Sequence, residues 1–434
     1  MIAVAPGRQL SYVQTDIRAP MLIMVAIFLA PYLSWRPSLD ILFTISDACF
    51  MLGAVQLVMR QRLPLQPFGV LSPVWLAGFV AMMAGLLVSS LFGNDPTRWP
   101  VVALQYSFAW VVLPFLLMGH GNIETHRLAR GLLTGVVLME LVGIIVYFSF
   151  QGSFEQARTI LGLDFISGSG RLGVFVTDAN WNGATVAMAL PFTFYLRARR
   201  MIAAWQAIFA SIVLLFALML TASVTAFGSA VAAMILFVLA GGVRPKLYTF
   251  IALAAVSLLL APSEYGMPSI FQKRVASALE SGNISQAGTF KGRVALMDSA
   301  WHRVGDHMVL GVGVDQDRVV NGQGAPVHNM YLLLWVEGGF IALAGWITMM
   351  SIFLVMAFAA LRRDRLAGAL ALSVFATFLL FSTASPHMYA RLWAVPVILA
   401  LAIAQNAGAP LTMRLTLRQR YTPARLRRLE RARG

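Results

Sequence analysis

Twelve apolar stretches, each close to the length of a bilayer-spanning helix, punctuate the chain near residues 20–35, 39–59, 71–93, 99–119, 131–150, 180–197, 202–221, 223–241, 247–262, 339–361, 366–384 and 388–408. About 20 mostly apolar residues are needed to span a membrane, and in hydrocarbon the backbone polar groups must be bonded within the segment itself. The pair 202–221 and 223–241 is one long apolar run broken only by TASVTAFGS. Composition agrees: 59% of residues are hydrophobic and 12% charged, against about 45–50% and about 25% in soluble domains. The pattern predicts an all-α polytopic membrane protein with about twelve transmembrane helices, residues 1–434 forming a single integral membrane domain. The first run, MLIMVAIFLAPYLSW, has no small-residue cleavage site and leads into further spans, which predicts a retained first helix rather than a signal peptide. A single cysteine, Cys49, excludes an intrachain disulfide.

Charge orients the spans. With a cytoplasmic N-terminus, twice as many of the 33 Lys and Arg residues fall inside as outside, and each short inside connection is basic. A basic cytoplasmic tail at 409–434 completes the pattern. Net charge is +15, but the cations are almost all Arg and sit beside membrane segments, and no RNA-binding or helix-turn-helix signature accompanies them. A nucleic-acid partner is not expected.

Two outside segments are long, 151–179 and 263–327. The second is far longer than an ordinary connection. Within it TFKGRVALMDSAWHRVGDHMVLG repeats apolar residues at Val294, Met297, Trp301, Val304 and Met308, with Thr289 available as N-cap. PSIFQKRVASALESG reads as a second short helix. A large helical periplasmic loop, capping an active site, is the expectation. Its cations lie on the side usually poor in them, which suggests an anion to bind.

Candidate chemistry gathers on that side. His328 ends the large loop where water and membrane meet, followed by Asn329 and Tyr331. It is either an interfacial helix-capping residue or a general base, which a neutral imidazole can be near pH 7. Arg171, Arg274 and Arg293 are topological cations taken singly; taken together they resemble a pyrophosphate site, since guanidinium binds phosphate through a planar fork of donors. Asp178 or Asn180 in TDANWNG suits a helix N-cap. Asp315 and Asp317 form a D-x-D, read as turn residues rather than metal ligands. Asp47 and Glu140 lie inside spans, where carboxylates mark either a transport path or hydrogen bonding within the bundle.

These stretches resemble the O-antigen ligase and polymerase superfamily of bacterial inner membranes. HNMYLLLWVEGGF looks like that family's H-[NSQ]-x9-G element, with His328, Asn329 and Gly339 in register and Ala342 where Gly, Thr or Tyr is more usual. KGRVALMDSAWHRVGDHMVLGVG is similar to its Arg–aromatic–Gly-x-Gly stretch. GRLGVFVTDANWNG resembles its Arg followed by a Pro-Asn pair, with Ala179 in place of Pro. Val224 stands where a T-x-S-R element has Arg, so no role is carried there.

The resemblance implies a lipid-dependent membrane glycosyltransferase that needs neither metal nor other cofactor. The implied donor is O-antigen on undecaprenyl pyrophosphate, and the implied acceptor is a sugar hydroxyl of lipid A–core. His328 would be the base. Arg171, Arg293 and Arg274 would bind substrate, with Asn329, Asn180 and Tyr331 beside them. Polymerase and protein O-oligosaccharyltransferase share the framework. A polysaccharide flippase would also have about twelve spans, but would want charges and broken helices near the midplane rather than a structured outer loop.

Overall fold

A computed structural model describes residues 20–36, 43–60, 63–93, 95–162, 164–242, 271–272 and 290–407. The regular secondary structure of the described residues is helical, apart from one isolated antiparallel bridge, Ile166 to Leu172. In chain order the helices are α1 (Met21–Leu29), α2 (Ile45–Met59), α3 (Ser72–Phe92), α4 (Trp99–Leu117, with a π turn at Phe108–Val112), α5 (Asn122–Ser149), α6 (Phe154–Leu161), α7 (Ala179–Ala198), α8 (Ala204–Thr221), α9 (Val224–Gly241), α10 (Phe290–Asp306), α11 (Met330–Arg363), α12 (Arg365–Ser382) and α13 (Arg391–Gln405). Seven of these are long and apolar enough to cross a membrane among the described residues: α3, α4, α5, α8, α9, α11 and α12. Two shorter apolar helices, α2 and α13, join them. The expected span at 247–262 and the tail at 409–434 lie outside the described residues.

The helix ends collect in two layers. One end holds Arg197, Arg199, Arg362, Arg363 and Arg365. There Arg199, near the end of α7, pairs with Asp364, the N-cap of α12. The other end gathers the loops after α1, α3, α5, α8 and α12 with the segment 307–329. The first layer is basic, as the positive-inside rule expects of an inside face, but Arg36, Arg98, Arg171, Arg293, Arg303 and Arg318 lie at the other end.

Two helices are central. Residues Leu392–Ala404 of α13 are all buried, as are Asn182–Leu196 of α7. A helix apolar all round belongs inside other protein or in lipid, and here the neighbouring helices supply the cover. Trp181 of α7 meets Trp393 of α13 edge-on at 5.7 Å. Close approach elsewhere uses small residues. A Cβ on Gly78 of α3 would lie 2.8 Å from the Gly345 carbonyl oxygen of α11, and one on Gly85 would lie 2.7 Å from the Ala342 nitrogen.

Both intramembrane carboxylates singled out from sequence have partners. Asp47 forms a capping box with Thr44 at the start of α2 and a buried ion pair with Arg391 of α13, whose guanidinium lies over the Phe108 ring. Glu140 accepts a hydrogen bond from Asn182 Nδ2 at 3.3 Å. Each binds helix to helix.

The break in α11 builds the floor under the large loop. Gly339 has φ +69°, which ends the helical hydrogen bonding locally. The carbonyls of Val336 and Glu337 are thereby freed, and they accept from Val312 N–H (2.8 Å) and Gly313 N–H (3.0 Å). Ser89 and Ser90 Oγ of α3 accept from Gly311 and Val314 N–H at 2.9 and 3.0 Å. The Gly-x-Gly segment is thus sewn by its N–H groups between serine hydroxyls of α3 and backbone carbonyls of α11. A Cβ at position 339 would sit 1.9 Å from the Val309 oxygen. Gly339→Ala is therefore expected to combine strain at a left-handed position with a backbone clash. Its detergent-solubilised protein should melt well below wild type, and an unchanged melting temperature would refute this account of the break.

The buried face of α10 matches the expected one only in part. Ala300 and Val304 are buried and pack toward Leu332, Leu333 and Val336 of α11, with Met297 against them, and Leu296 is buried as well. Val294, Trp301 and Met308 are exposed, although Trp301 meets Trp335 edge-on at 5.9 Å. Thr289 and the second predicted loop helix lie outside the described residues.

Candidate active site

Where the loop end of the bundle meets the large loop, a cavity of about 350 Å³ opens. Its lining comes from distant parts of the chain: Arg36 after α1, Gln105 of α4, Thr177–Asp178 and Asn180–Trp181 around the start of α7, Arg293 of α10, His328, and Ser385–Tyr389 between α12 and α13.

His328 is set by its neighbours in sequence. Asn329 is the N-cap of α11, its side-chain oxygen accepting from Tyr331 N–H (3.0 Å) and Leu332 N–H (3.1 Å). Just before it, Val327 N–H donates to Asp317 Oδ2 at 2.7 Å. Between these two anchors the His328 ring is half-buried, with Nδ1 3.0 Å from the Pro326 carbonyl oxygen. A carbonyl can only accept, so Nδ1 carries the proton and Nε2 of the neutral ring is the free base.

Electrostatics keep the ring neutral. Burial pushes the His328 pKa below its ordinary value, and the positive charge of Arg293 pushes it further. The Pro326 contact and the carboxylate of Asp178 act more weakly in the opposite sense. A base is active while unprotonated, so activity that depends on it falls as pH drops through the folded pKa, which lies below about 6.5. Arg293→Gln removes one of the two depressing causes. The acid limb of its rate profile should move to higher pH than that of wild type; a limb that stays put or moves down would break the link between the two residues.

Arg293 is half-buried, senses Asp178, and forms no ion pair among the described residues. Asp178 is committed elsewhere: its Oδ1 caps α7, accepting from Asn180 and Trp181 N–H, each at 2.8 Å. The turn that delivers it is strained, with non-glycine residues Val174 and Thr177 at φ +50° and +67°.

Arg171 stands behind the cavity. Its Nε donates to the Thr221 carbonyl (2.8 Å) and its Nη2 to Asn180 Oδ1 (2.7 Å), which also accepts from Ser223 Oγ (3.0 Å). Asn180 lines the cavity and Arg171 fixes it. Tyr331 packs toward α12, its hydroxyl 3.5 Å from the Leu379 carbonyl oxygen, and is not part of the lining. Arg274 lies outside the described residues.

Reading the sequence missed Arg36, which lines the cavity half-buried with Nε unpartnered among the described residues. The signal was available, since Arg36 is one more cation on the side expected to be poor in them.

The D-x-D pair is more than a turn. Asp315 pairs with Arg98 (2.9 Å) and Arg318 (2.7 Å). Asp317 is fully buried against Arg303 of α10 at 2.5 Å while holding Val327. Among the described residues no group of three His, Cys, Asp or Glu side chains could hold a metal ion.

Comparison with known families gives one match. Residues 209–347, about a third of the chain, match a family model described as O-antigen ligase. The matched stretch includes most of α8, all of α9 and α10, Arg293, His328 and the break at Gly339. No curated protein matches the chain.

Proposed function

From the family match, which supports membership of the O-antigen ligase superfamily, we propose that the protein transfers O-antigen polysaccharide from undecaprenyl pyrophosphate to a sugar hydroxyl of lipid A–core, completing lipopolysaccharide. In this reading the protein is a multi-pass protein of the bacterial inner membrane. The cavity faces the periplasm, with the basic layer and both termini in the cytoplasm. Nucleotide sugars and ATP are absent on that face, so the leaving group must already be in the membrane, and a lipid pyrophosphate is one.

Each residue then has a task. The acceptor hydroxyl oxygen attacks the anomeric carbon while His328 Nε2 takes its proton. The bond between that carbon and the pyrophosphate oxygen breaks, and undecaprenyl pyrophosphate departs with the bonding electrons. Arg293 and Arg36 stabilise the negative charge that builds on it, being guanidinium groups fixed in the cavity in advance. Arg171 acts through Asn180, which it orients. Asn329 and Tyr331 start the helix that aims His328. Direct displacement inverts the anomeric centre. No metal is needed, because arginine supplies the positive charge.

The observation that carries this reading is His328, its Nδ1 held on the Pro326 carbonyl so that Nε2 is left free, in the same cavity as Arg293, which has no ion pair among the described residues. A flippase reading rested on Asp47 and Glu140; the ion pair of Asp47 with Arg391 and the hydrogen bond of Glu140 to Asn182 favour a role within the bundle instead. Deletion in the native strain, followed by lipopolysaccharide gels, is the test. Unsubstituted core with unattached lipid-linked polymer is the expected result. Core bearing a single repeat would make the protein a polymerase instead.

A further inference from the structure

We infer that a polar recess of the cavity, formed by Gln105, Ser385 and Arg36, binds the pyranose ring attached directly to the donor pyrophosphate; this rests on the lipid-linked donor proposed above. The observation is a set of polar atoms without partners. Gln105 is 7% exposed and Ser385 is 2% exposed, yet Gln105 Oε1, Ser385 Oγ and Arg36 Nε have no hydrogen bond among the described residues. All three residues line the same cavity. Native proteins seldom leave such groups unpaired in the interior, since each forfeits its bonds to water. The three residues line one cavity, and a ligand entering it would complete these groups as their side chains turn to meet it.

Their chemistry selects the ligand. Arg36 Nε only donates. The serine hydroxyl donates and accepts. The carboxamide of Gln105 offers an acceptor and a donor on adjacent atoms. A phosphate carries no hydrogen to give at neutral pH beyond its last proton, so it satisfies Arg36 and leaves the carboxamide oxygen unmet. A polyprenyl chain satisfies none of them. Vicinal sugar hydroxyls both donate and accept, and they satisfy all three. Tyr389 and Trp181, in the same lining, offer flat faces for the C–H side of a ring. Arg36 gives the recess its orientation: a ring bonded to pyrophosphate places hydroxyls against Gln105 and Ser385 with the anion beside the guanidinium. The recess thus tells donors apart by their first sugar, while His328 and Arg293 serve the bond being broken.

The test uses purified full-length protein in nanodiscs with three probes: undecaprenyl pyrophosphate, the same lipid carrying one N-acetylhexosamine, and lipid A–core. Wild type is expected to bind the sugar-bearing lipid more tightly than the bare one. Gln105→Leu and Ser385→Ala should each weaken binding of the sugar-bearing lipid by about 3–10-fold, the range for a neutral hydrogen bond, and leave the bare lipid unchanged. Ser385→Ala also removes an unpartnered buried hydroxyl, so its melting temperature should hold or rise, which separates recognition from folding. Equal affinity of wild type for bare and sugar-bearing lipid overturns the inference. So does a loss confined to lipid A–core, which would make this the acceptor's subsite, or a matched loss for both donor lipids, which would give the recess to pyrophosphate. If neither donor lipid binds wild type, the proposed lipid-linked donor itself fails and takes this inference with it.

Discussion

Replacing His328 with alanine should reduce glycan transfer by about 10²–10⁴-fold, the usual contribution of a positioned general base, while leaving donor binding intact. The size follows from the geometry. Nδ1 is held by the Pro326 carbonyl, so Nε2 is the unprotonated nitrogen, and burial with the Arg293 charge keeps it so. Alanine removes the proton acceptor but leaves Arg293 and Arg36 to hold the pyrophosphate, so kcat should fall far more than donor affinity. His302 and His307 are exposed, and their alanine variants should keep nearly full activity. The measurement is transfer rate against pH with purified protein and both lipid substrates. A His328→Ala protein with more than a few per cent of wild-type rate would remove His328 from the chemistry. So would a wild-type rate that stays flat as pH falls well below 6.5.

Asp317→Ala should be nearly as damaging, through the fold. Its carboxylate is 0% exposed and joins two elements: Oδ1 accepts from Arg303 on the cap helix, Oδ2 from Val327 next to the base. Removing one partner of a buried ion pair costs about 3–5 kcal/mol, because the other charge stays buried. A protein's whole net stability is only about 5–15 kcal/mol. Arg303 Nε is already without a partner among the described residues, so the guanidinium would keep only the Ser299 hydroxyl, at 2.6 Å from Nη1. Asp315→Ala should cost at most about 1 kcal/mol, since both of its arginine partners are substantially exposed. Melting of the two variants in detergent, with transfer assayed below the melting point, separates them. Chelator should not slow wild type, and Mg²⁺ or Mn²⁺ should not rescue Asp317→Ala. Wild-type melting with metal-restored activity in Asp317→Ala would turn the D-x-D into a metal site.

Some of this was legible in the residues. Runs of apolar residues near spanning length forced a helical bundle, because hydrocarbon leaves the backbone no other partner. Arg197, Arg199, Arg362, Arg363 and Arg365 fall in one layer, as the alternation of basic connections predicted. Asp178 or Asn180 suited a cap by type and place, and the structure makes Asp178 the cap; Asn329 was expected beside the substrate, and only the structure shows it capping α11. His328 was marked by ending the one large loop, and Gly339 by its register with it.

The tertiary structure decided the rest. An apolar stripe in a membrane protein can face lipid or protein, so periodicity named Met297 and Val304 of α10, which pack inward, together with Val294 and Trp301, which are exposed, and passed over the buried Leu296 and Ala300. Arg171 and Arg293 look alike in sequence. Packing puts Arg293 on the cavity wall and commits Arg171 to Thr221 and Asn180 behind it. Asp317 looked like a turn residue because its partners, Arg303 and Val327, are joined to it only by the folding of the loop. Gln105, Ser385 and Arg36 carry no motif. They are separated by whole helices along the chain, and only the way those helices close on one another brings their unpartnered atoms to a single cavity.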